Sequence, residues 1–218
     1  MTKLFFVRHG RTQWNLEGRY QGAHGDSPLL PESIREIGEL ASFLNQYRFA
    51  KIYTSPIRRA RVTAQTLETK LDQPLNIVAD EAFAEFNLGK MEGMLFEDVQ
   101  AQYPEELESF RHFPERYDPT KIEAESFQEL FARMTPKILE ICRRYPQENV
   151  IIVSHGAALC AEIRHLQGVP LERIRKRGGL TNTSTTILST TDKGAHFKCL
   201  EWNKTDYLSR KLTKNDTV

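Results

Sequence analysis

The chain has 218 residues, 39% of them hydrophobic and 27% charged, which is the composition of a globular protein able to bury a core. Thirty basic residues face twenty-nine acidic ones for a net charge of +1, so no overall field draws in nucleic acid or an anionic membrane. The apolar run Leu4 to Val7 is too short for a signal-peptide core and no stretch approaches a membrane span, which predicts a cytoplasmic protein.

Lys3 to Val7 reads as a strand buried on both faces, ending at Arg8-His9-Gly10. A loop through Gly18, Gly22 and Gly25 leads to Pro31, the first residue of a helix with Ile34, Ile37, Leu40, Ala41 and Leu44 on its buried stripe. A strand over Lys51 to Thr54 meets Ser55 as N-cap and Pro56 as the first residue of a helix running to about Leu71. A short strand, Leu75 to Val78, precedes a loop from Phe83 to Met94 that has no regular period. From Leu95 to about Ile122, short helical patterns alternate with Pro104, Pro114 and Pro119, as in a lid insertion. Ser126 and Glu129 form a capping box for a helix to about Arg144, with Pro136 as a kink point. Asn149 to Val153 is a second fully apolar strand, ending at Ser154-His155-Gly156, and a helix follows from about Ala157 to Gln167. Strands around Ser184 to Ser189 and His196 to Trp202 complete the sheet. Residues 205–218 read as a polar, mobile tail.

Strands alternating with helices predict one α/β domain, residues 1–204. It is a three-layer sandwich with a mainly parallel central sheet flanked by helices and a small helical lid at about 95–122. In such sheets, ligands bind beyond the carboxyl ends of the strands. Cys142, Cys160 and Cys199 lack metal-ligand spacing and read as core residues of a reducing compartment.

Two segments are near-duplicates: Phe5-Phe6-Val7-Arg8-His9-Gly10 and Ile151-Ile152-Val153-Ser154-His155-Gly156. Each places a histidine at the end of a buried strand, before a glycine that lets backbone approach a ligand, so two imidazoles can meet at one sheet edge. Arg8 adjoins His9, and Arg58 and Arg59 sit in the first turn of another helix. Guanidinium forks beside helix N-terminal amides suit a phosphate, although adjacent helical positions cannot all point inward. The run Arg173-Ile174-Arg175-Lys176-Arg177 reads as a solvated basic turn. His24, His112, His165 and His196 have no ligand spacing.

These motifs resemble the histidine phosphatase superfamily, also called the phosphoglycerate mutase family. The matching residues are Arg8-His9-Gly10-Arg11-Thr12, Trp14-Asn15, Arg19-Tyr20-Gln21-Gly22, Asp26-Ser27-Pro28-Leu29, Ser55-Pro56-Ile57-Arg58-Arg59-Ala60 with Thr63-Ala64, Glu85 with Gly89, Glu92-Gly93, and Ser154-His155-Gly156. The resemblance spans roughly residues 3 to 190 and implies a phosphoglycerate mutase-like fold. It implies that His9 becomes phosphohistidine, that Arg8, Arg59 and His155 form the phosphate pocket with Asn15, Gly156 and the Gln21-Gly22 backbone, and that Glu85 protonates the leaving oxygen. Arg58 falls one position from the matching arginine and is assigned to the surface. Phosphoryl transfer needs an in-line nucleophile and positive donors around the equatorial oxygens. Two arginines and a protonated His155 would supply these and would keep His9 neutral, so neither metal nor cofactor is expected.

After the acid, mutases of this family usually continue Arg-His-Tyr-Gly with a longer basic insertion, whereas this chain reads Glu85-Phe86-Asn87-Leu88-Gly89-Lys90-Met91-Glu92-Gly93. That resembles the phosphatase branch, a phosphomonoester hydrolase acting on a small phosphorylated metabolite. The alternatives are mutase-type transfer and a non-catalytic phospho-ligand module of the same fold. A homodimer is compatible with the sequence. Phe83, Phe86, Met91, Met94, Phe110, Phe113 and Tyr117 are candidates for an apolar pocket wall, although such residues are more often core. Arg11, where many relatives carry glutamate or glutamine, is a candidate contact for an acidic substrate.

Overall fold

Apolar side chains alternating across both faces of the first strand set the architecture. In the computed structural model, which describes residues 1–212 and 216, β1 (Thr2–Arg8) sends Leu4 and Phe6 into one hydrophobic cluster and Phe5 and Val7 into another. Two separate cores on opposite faces of one strand require a covering layer on each side.

In chain order the main elements are α1 (Gln13–Glu17), α2 (Pro31–Leu44), β2 (Lys51–Thr54), α3 (Arg58–Glu68), β3 (Ile77–Ala79), α4 (Phe96–Gln102), α5 (Pro104–His112), α6 (Phe127–Arg144), β4 (Asn149–Ser154), α7 (Gly156–Leu166), β5 (Thr185–Thr190) and β6 (Lys198–Lys204). The six strands form one sheet in the order β3-β2-β4-β1-β5-β6. β3, β2, β4 and β1 pair in parallel, and β5 and β6 add antiparallel at one edge. The expected three-layer α/β sandwich with a mainly parallel sheet is thus present. Buried residues of α2 and α3 cover one face. Those of α6, α7 and the 95–122 insertion cover the other. The insertion consists of α4, α5 and two 3-10 turns starting at Pro114 and Pro119.

Four local expectations are corrected. Ile34 is 40% exposed, and the inward face of α2 carries Ser33 and Glu36 beside Ile37, Leu40, Ala41 and Leu44. Helix α3 starts at Arg58, with Ile57 as an extended N-cap and no side-chain cap. The reason is that Ser55 continues the strand ladder, its N–H donating to Val153 O at 2.9 Å, and its hydroxyl is used elsewhere. The third strand falls at Ile77–Ala79, starting two residues later and ending one residue later than expected. The expected mobile tail is docked where it is described: Tyr207 OH donates to Thr183 O at 2.7 Å, its ring stacks on Phe43, and Leu208 is buried.

The capping box of Ser126 and Glu129 opens α6 as expected, and the helix continues through Pro136. No described helix is long and apolar enough to cross a membrane.

Candidate active site

β1 and β4 are neighbours in register, with Arg8 opposite Ser154. The next residue on each strand is a histidine, so the imidazoles of His9 and His155 meet beyond the carboxyl edge with ring centroids 5.2 Å apart. Backbone and side-chain bonds fix this junction. His9 N–H donates to Ser154 O at 2.9 Å, and Asn182 Nδ2 donates to His9 O at 3.1 Å. Gly10 N–H donates to Thr63 Oγ1 at 3.0 Å, and the Thr63 hydroxyl donates to Arg59 O at 2.7 Å.

His9 Nδ1 lies 2.8 Å from the Gly10 carbonyl oxygen. A carbonyl oxygen only accepts, so Nδ1 carries the ring proton and Nε2 keeps its lone pair. Burial, reinforced by the positive charges of Arg59 and Arg8, holds the imidazole pKa well below its ordinary 6.5. His155 Nε2 lies 2.7 Å from Ser55 Oγ. That oxygen accepts the Ile57 N–H at 3.2 Å, and its own hydrogen is available to Nε2, which assigns the His155 proton to Nδ1. Burial, with Arg59 the next cause, also pushes His155 well below 6.5. The expected imidazolium is therefore corrected: at neutral pH His155 is a neutral donor here, and full positive charge comes from the arginines.

Arg8 Nη1 donates to the carbonyls of Leu180 and Asp216. Arg59 donates through Nη2 to Gly22 O at 2.7 Å and through Nη1 to Gly25 O at 2.8 Å and Asp26 Oδ1 at 3.1 Å. Burial lowers the Arg8 pKa to about 10, which leaves it a cation at neutral pH. Arg8 Nε, Arg59 Nε and His155 Nδ1 are buried and have no hydrogen-bond partner among the described residues. Buried unpaired donors are costly, and three gathered around one strand end match the oxygens of a tetrahedral anion.

Glu85 enters from the irregular segment after β3, in an extended stretch between two 3-10 turns. Its Oε1 accepts N–H groups from Phe86 at 2.9 Å and Ala158 at 2.7 Å, and its Oε2 accepts the Ala157 N–H at 3.1 Å. The carboxyl group is thus pinned to the N-terminus of α7 by the amides of Ala157 and Ala158. Arg133 holds the same segment from behind, donating to the carbonyls of Ala82, Ala84 and Glu85 while paired with Glu125.

Arg8, His9, Asn15, Gln21, Gly22, Arg59, Glu85 and Gly156 line one pocket, as their motifs predict; His155 is fully buried beside His9 and is not itself a lining residue. The Gln21 side chain is committed to Thr12 and Ser27, so its contribution to the pocket is through the backbone. Arg58 is exposed, as assigned. Arg11 is not a pocket residue and is paired with Asp216 instead, at 3.7 Å. Of the apolar candidates only Phe110 reaches the pocket, where it joins Tyr20, Leu88 and Phe96; Phe83, Phe86 and Met91 are fully buried core.

Glu92 is a residue whose role was missed. Its two oxygens accept N–H groups from Ala23, His24, Gly25 and Leu88 at 2.9–3.0 Å, which joins the Gly22 loop to the segment after Glu85. The one sequence signal was its place in the Glu92-Gly93 motif. Among the described residues no group of three or more His, Cys, Asp or Glu is placed to hold a metal ion.

A family model for the histidine phosphatase superfamily (branch 1) matches residues 4–205. The chain belongs to that superfamily. It is 33% identical over 176 residues to phosphoserine phosphatase 1 of Hydrogenobacter thermophilus (79% of this chain, 80% of the relative). It is 32% identical over 168 residues to the Bacillus subtilis phosphatase PhoE (77% and 79%). The solved structure of Bacillus stearothermophilus YhfR superposes with a TM-score of 0.86 at 28% identity, covering 95% of this chain and 99% of that one.

Proposed function

We propose that this phosphatase hydrolyses phosphomonoesters through a phosphohistidine at His9 Nε2, with no metal ion. The observation that carries the reading is the His9 Nδ1–Gly10 O hydrogen bond, which leaves Nε2 unprotonated beside the unpaired donors of Arg8, Arg59 and His155. The Nε2 lone pair attacks phosphorus as the P–O bond to the alcohol breaks, and Arg8, Arg59 and His155 stabilise charge on the equatorial oxygens. Glu85 in its protonated form gives its proton to the departing oxygen. Oε2, which accepts one N–H, has a lone pair left to carry it. Water then attacks phosphorus, Glu85 takes the water proton, and the P–N bond breaks to restore His9.

Phe96 and Phe110 bring the 95–122 insertion into the pocket wall, which supports a lid on the leaving-group side of a catalytic unit spanning residues 1–204. Small phosphorylated metabolites of the cytoplasm are the substrate class. Balanced net charge and free Cys142, Cys160 and Cys199 suit that compartment, and phosphoserine, named in one relative, is the first compound to assay. Rapid acid-free quench during turnover of a nitrophenyl phosphate should trap an acid-labile phosphoryl group on the protein. His9→Ala should lack both label and turnover with its fold intact, and a chelator should leave turnover unchanged. Labelling retained in His9→Ala, or turnover lost to chelator and restored by magnesium or zinc, would overturn the reading.

A further inference from the structure

The chain's last described residue, Asp216, stands behind Arg8. It is 1% exposed. Its backbone carbonyl accepts Arg8 Nη1 at 2.9 Å and the Asn182 N–H at 3.2 Å, and Asn182 itself donates to His9 O. Its carboxylate pairs with Arg210 Nη1 at 2.8 Å and Arg11 Nε at 3.7 Å, while Arg210 Nε reaches the buried Glu36 at 2.5 Å. Asp216 is therefore anchored by charge on one side and touches a pocket arginine on the other.

We propose that Asp216 is a positioning residue for phosphate binding: its carbonyl fixes the rotation of the Arg8 guanidinium, and Arg11 and Arg210 hold it there. The inference rests on the reading of Arg8 as a phosphate ligand. A guanidinium is a rigid planar fork, so constraining Nη1 constrains Nε as well. Nη1 is fully used by main-chain carbonyls while Nε is buried and unpartnered, the division of labour expected of an arginine held at one corner and offered at another. Without Asp216, Leu180 O is left as the anchor at Nη1, and the fork gains a degree of freedom that phosphate must remove on binding. Arg11 then serves the phosphate site through Asp216 rather than by touching substrate.

The test is the Kd of inorganic phosphate, by titration calorimetry at one pH, for the full chain, a chain ending at Leu212, full-length Arg210→Gln, Arg8→Ala, and Arg8→Ala ending at Leu212. Shortening should weaken phosphate roughly tenfold, the scale of one hydrogen bond to a charged group, and Arg210→Gln should weaken it in the same direction. In the Arg8→Ala background, shortening should add nothing, a coupling that a loss of general stability would not produce. The proposal fails if both tail variants bind within twofold of the full chain while Arg8→Ala binds weakly, or if shortening weakens binding equally with and without Arg8. An unchanged Kd in Arg8→Ala removes the reading of the site itself, and the proposal with it. Should the shortened chain not fold, judged by circular dichroism, Arg210→Gln alone and combined with Arg8→Ala decides.

Discussion

Glu85 Oε1 sits 2.7 Å from the backbone nitrogen of Ala158, and Oε2 sits 3.1 Å from that of Ala157. The proposed acid and the first turn of α7 are thus one unit. Glu85→Gln removes the transferable proton, and it also turns one acceptor into a donor. With its oxygen placed at the doubly bonded Oε1 site, the new NH2 faces the Ala157 N–H. The variant should lose about 1–3 kcal/mol of stability, read by urea denaturation. Single-turnover phosphorylation of His9 should slow by roughly two to four powers of ten with an alkyl phosphate and far less with a nitrophenyl phosphate, whose leaving group departs unprotonated. Equal losses for the two esters would remove Glu85 from the acid role.

Both site histidines have pKa values pushed well below 6.5, chiefly by burial and then by Arg59. Between the folded values and 6.5 the unfolded chain binds protons that the folded chain does not, so stability is full above pH 6.5 and declines as pH falls toward the folded values. His9→Asn should flatten that decline relative to the parent in urea titrations at stepped pH. The acid limb of kcat/KM should lie below pH 6.5, because attack needs neutral His9. Arg59→Gln should shift that limb upward by removing the larger of the two neighbouring charges, and a limb that stays in place would show that Arg59 does not tune His9.

Glu92 binds four backbone N–H groups from two segments, and the same carboxylate closes the space beside Gly22, where φ is +62° and an added Cβ would lie 2.1 Å from Glu92 Oε1. Glu92→Ala strands those donors, three of which (Ala23, His24 and Gly25) belong to the loop whose carbonyls hold Arg59. It should cost about 2–4 kcal/mol and raise the KM for a phosphomonoester as Arg59 loses its alignment. Gly22→Ala should do the same through the opposite partner. Melting curves and KM values measured together check both, and a fall in stability with unchanged KM would confine Glu92 to a structural role.

The sheet and the paired histidines were legible because both depend on local pattern: two apolar runs ending in His-Gly, with burial on both faces forcing them into the centre of the sheet. Glu85, Arg59 and Gly156 were legible through motif spacing. What was hidden depends on tertiary partners. Ser55 looks like a helix cap in sequence, yet a strand bond to Val153 keeps it extended and frees its hydroxyl for His155. The run Thr181-Asn182-Thr183-Ser184-Thr185-Thr186 is polar throughout and buried throughout, and no hydropathy rule places it under the active site. Arg11 reads as a substrate contact only until Asp216 appears beside it.

Gly156 offers the most selective probe of the pocket. It is the first residue of α7, where alanine is a better helix former than glycine, and its φ lies outside the left-handed region. Gly156→Ala therefore carries no backbone penalty. Its added Cβ, however, would stand 3.0 Å from Arg8 Nε and 3.2 Å from Arg8 Cζ, closer than ordinary contact, and Arg8 is held behind by two carbonyls and cannot retreat freely. The guanidinium must tilt, and its Nε edge moves off the phosphate. The expected result is a melting temperature within a few degrees of the parent, phosphate affinity down roughly tenfold, and kcat/KM down by more than the affinity because misplacement counts most in the transition state. Calorimetric phosphate binding beside steady-state kinetics makes the comparison. A variant that melts normally and binds phosphate as tightly as the parent would mean that Arg8 Nε is not a phosphate donor.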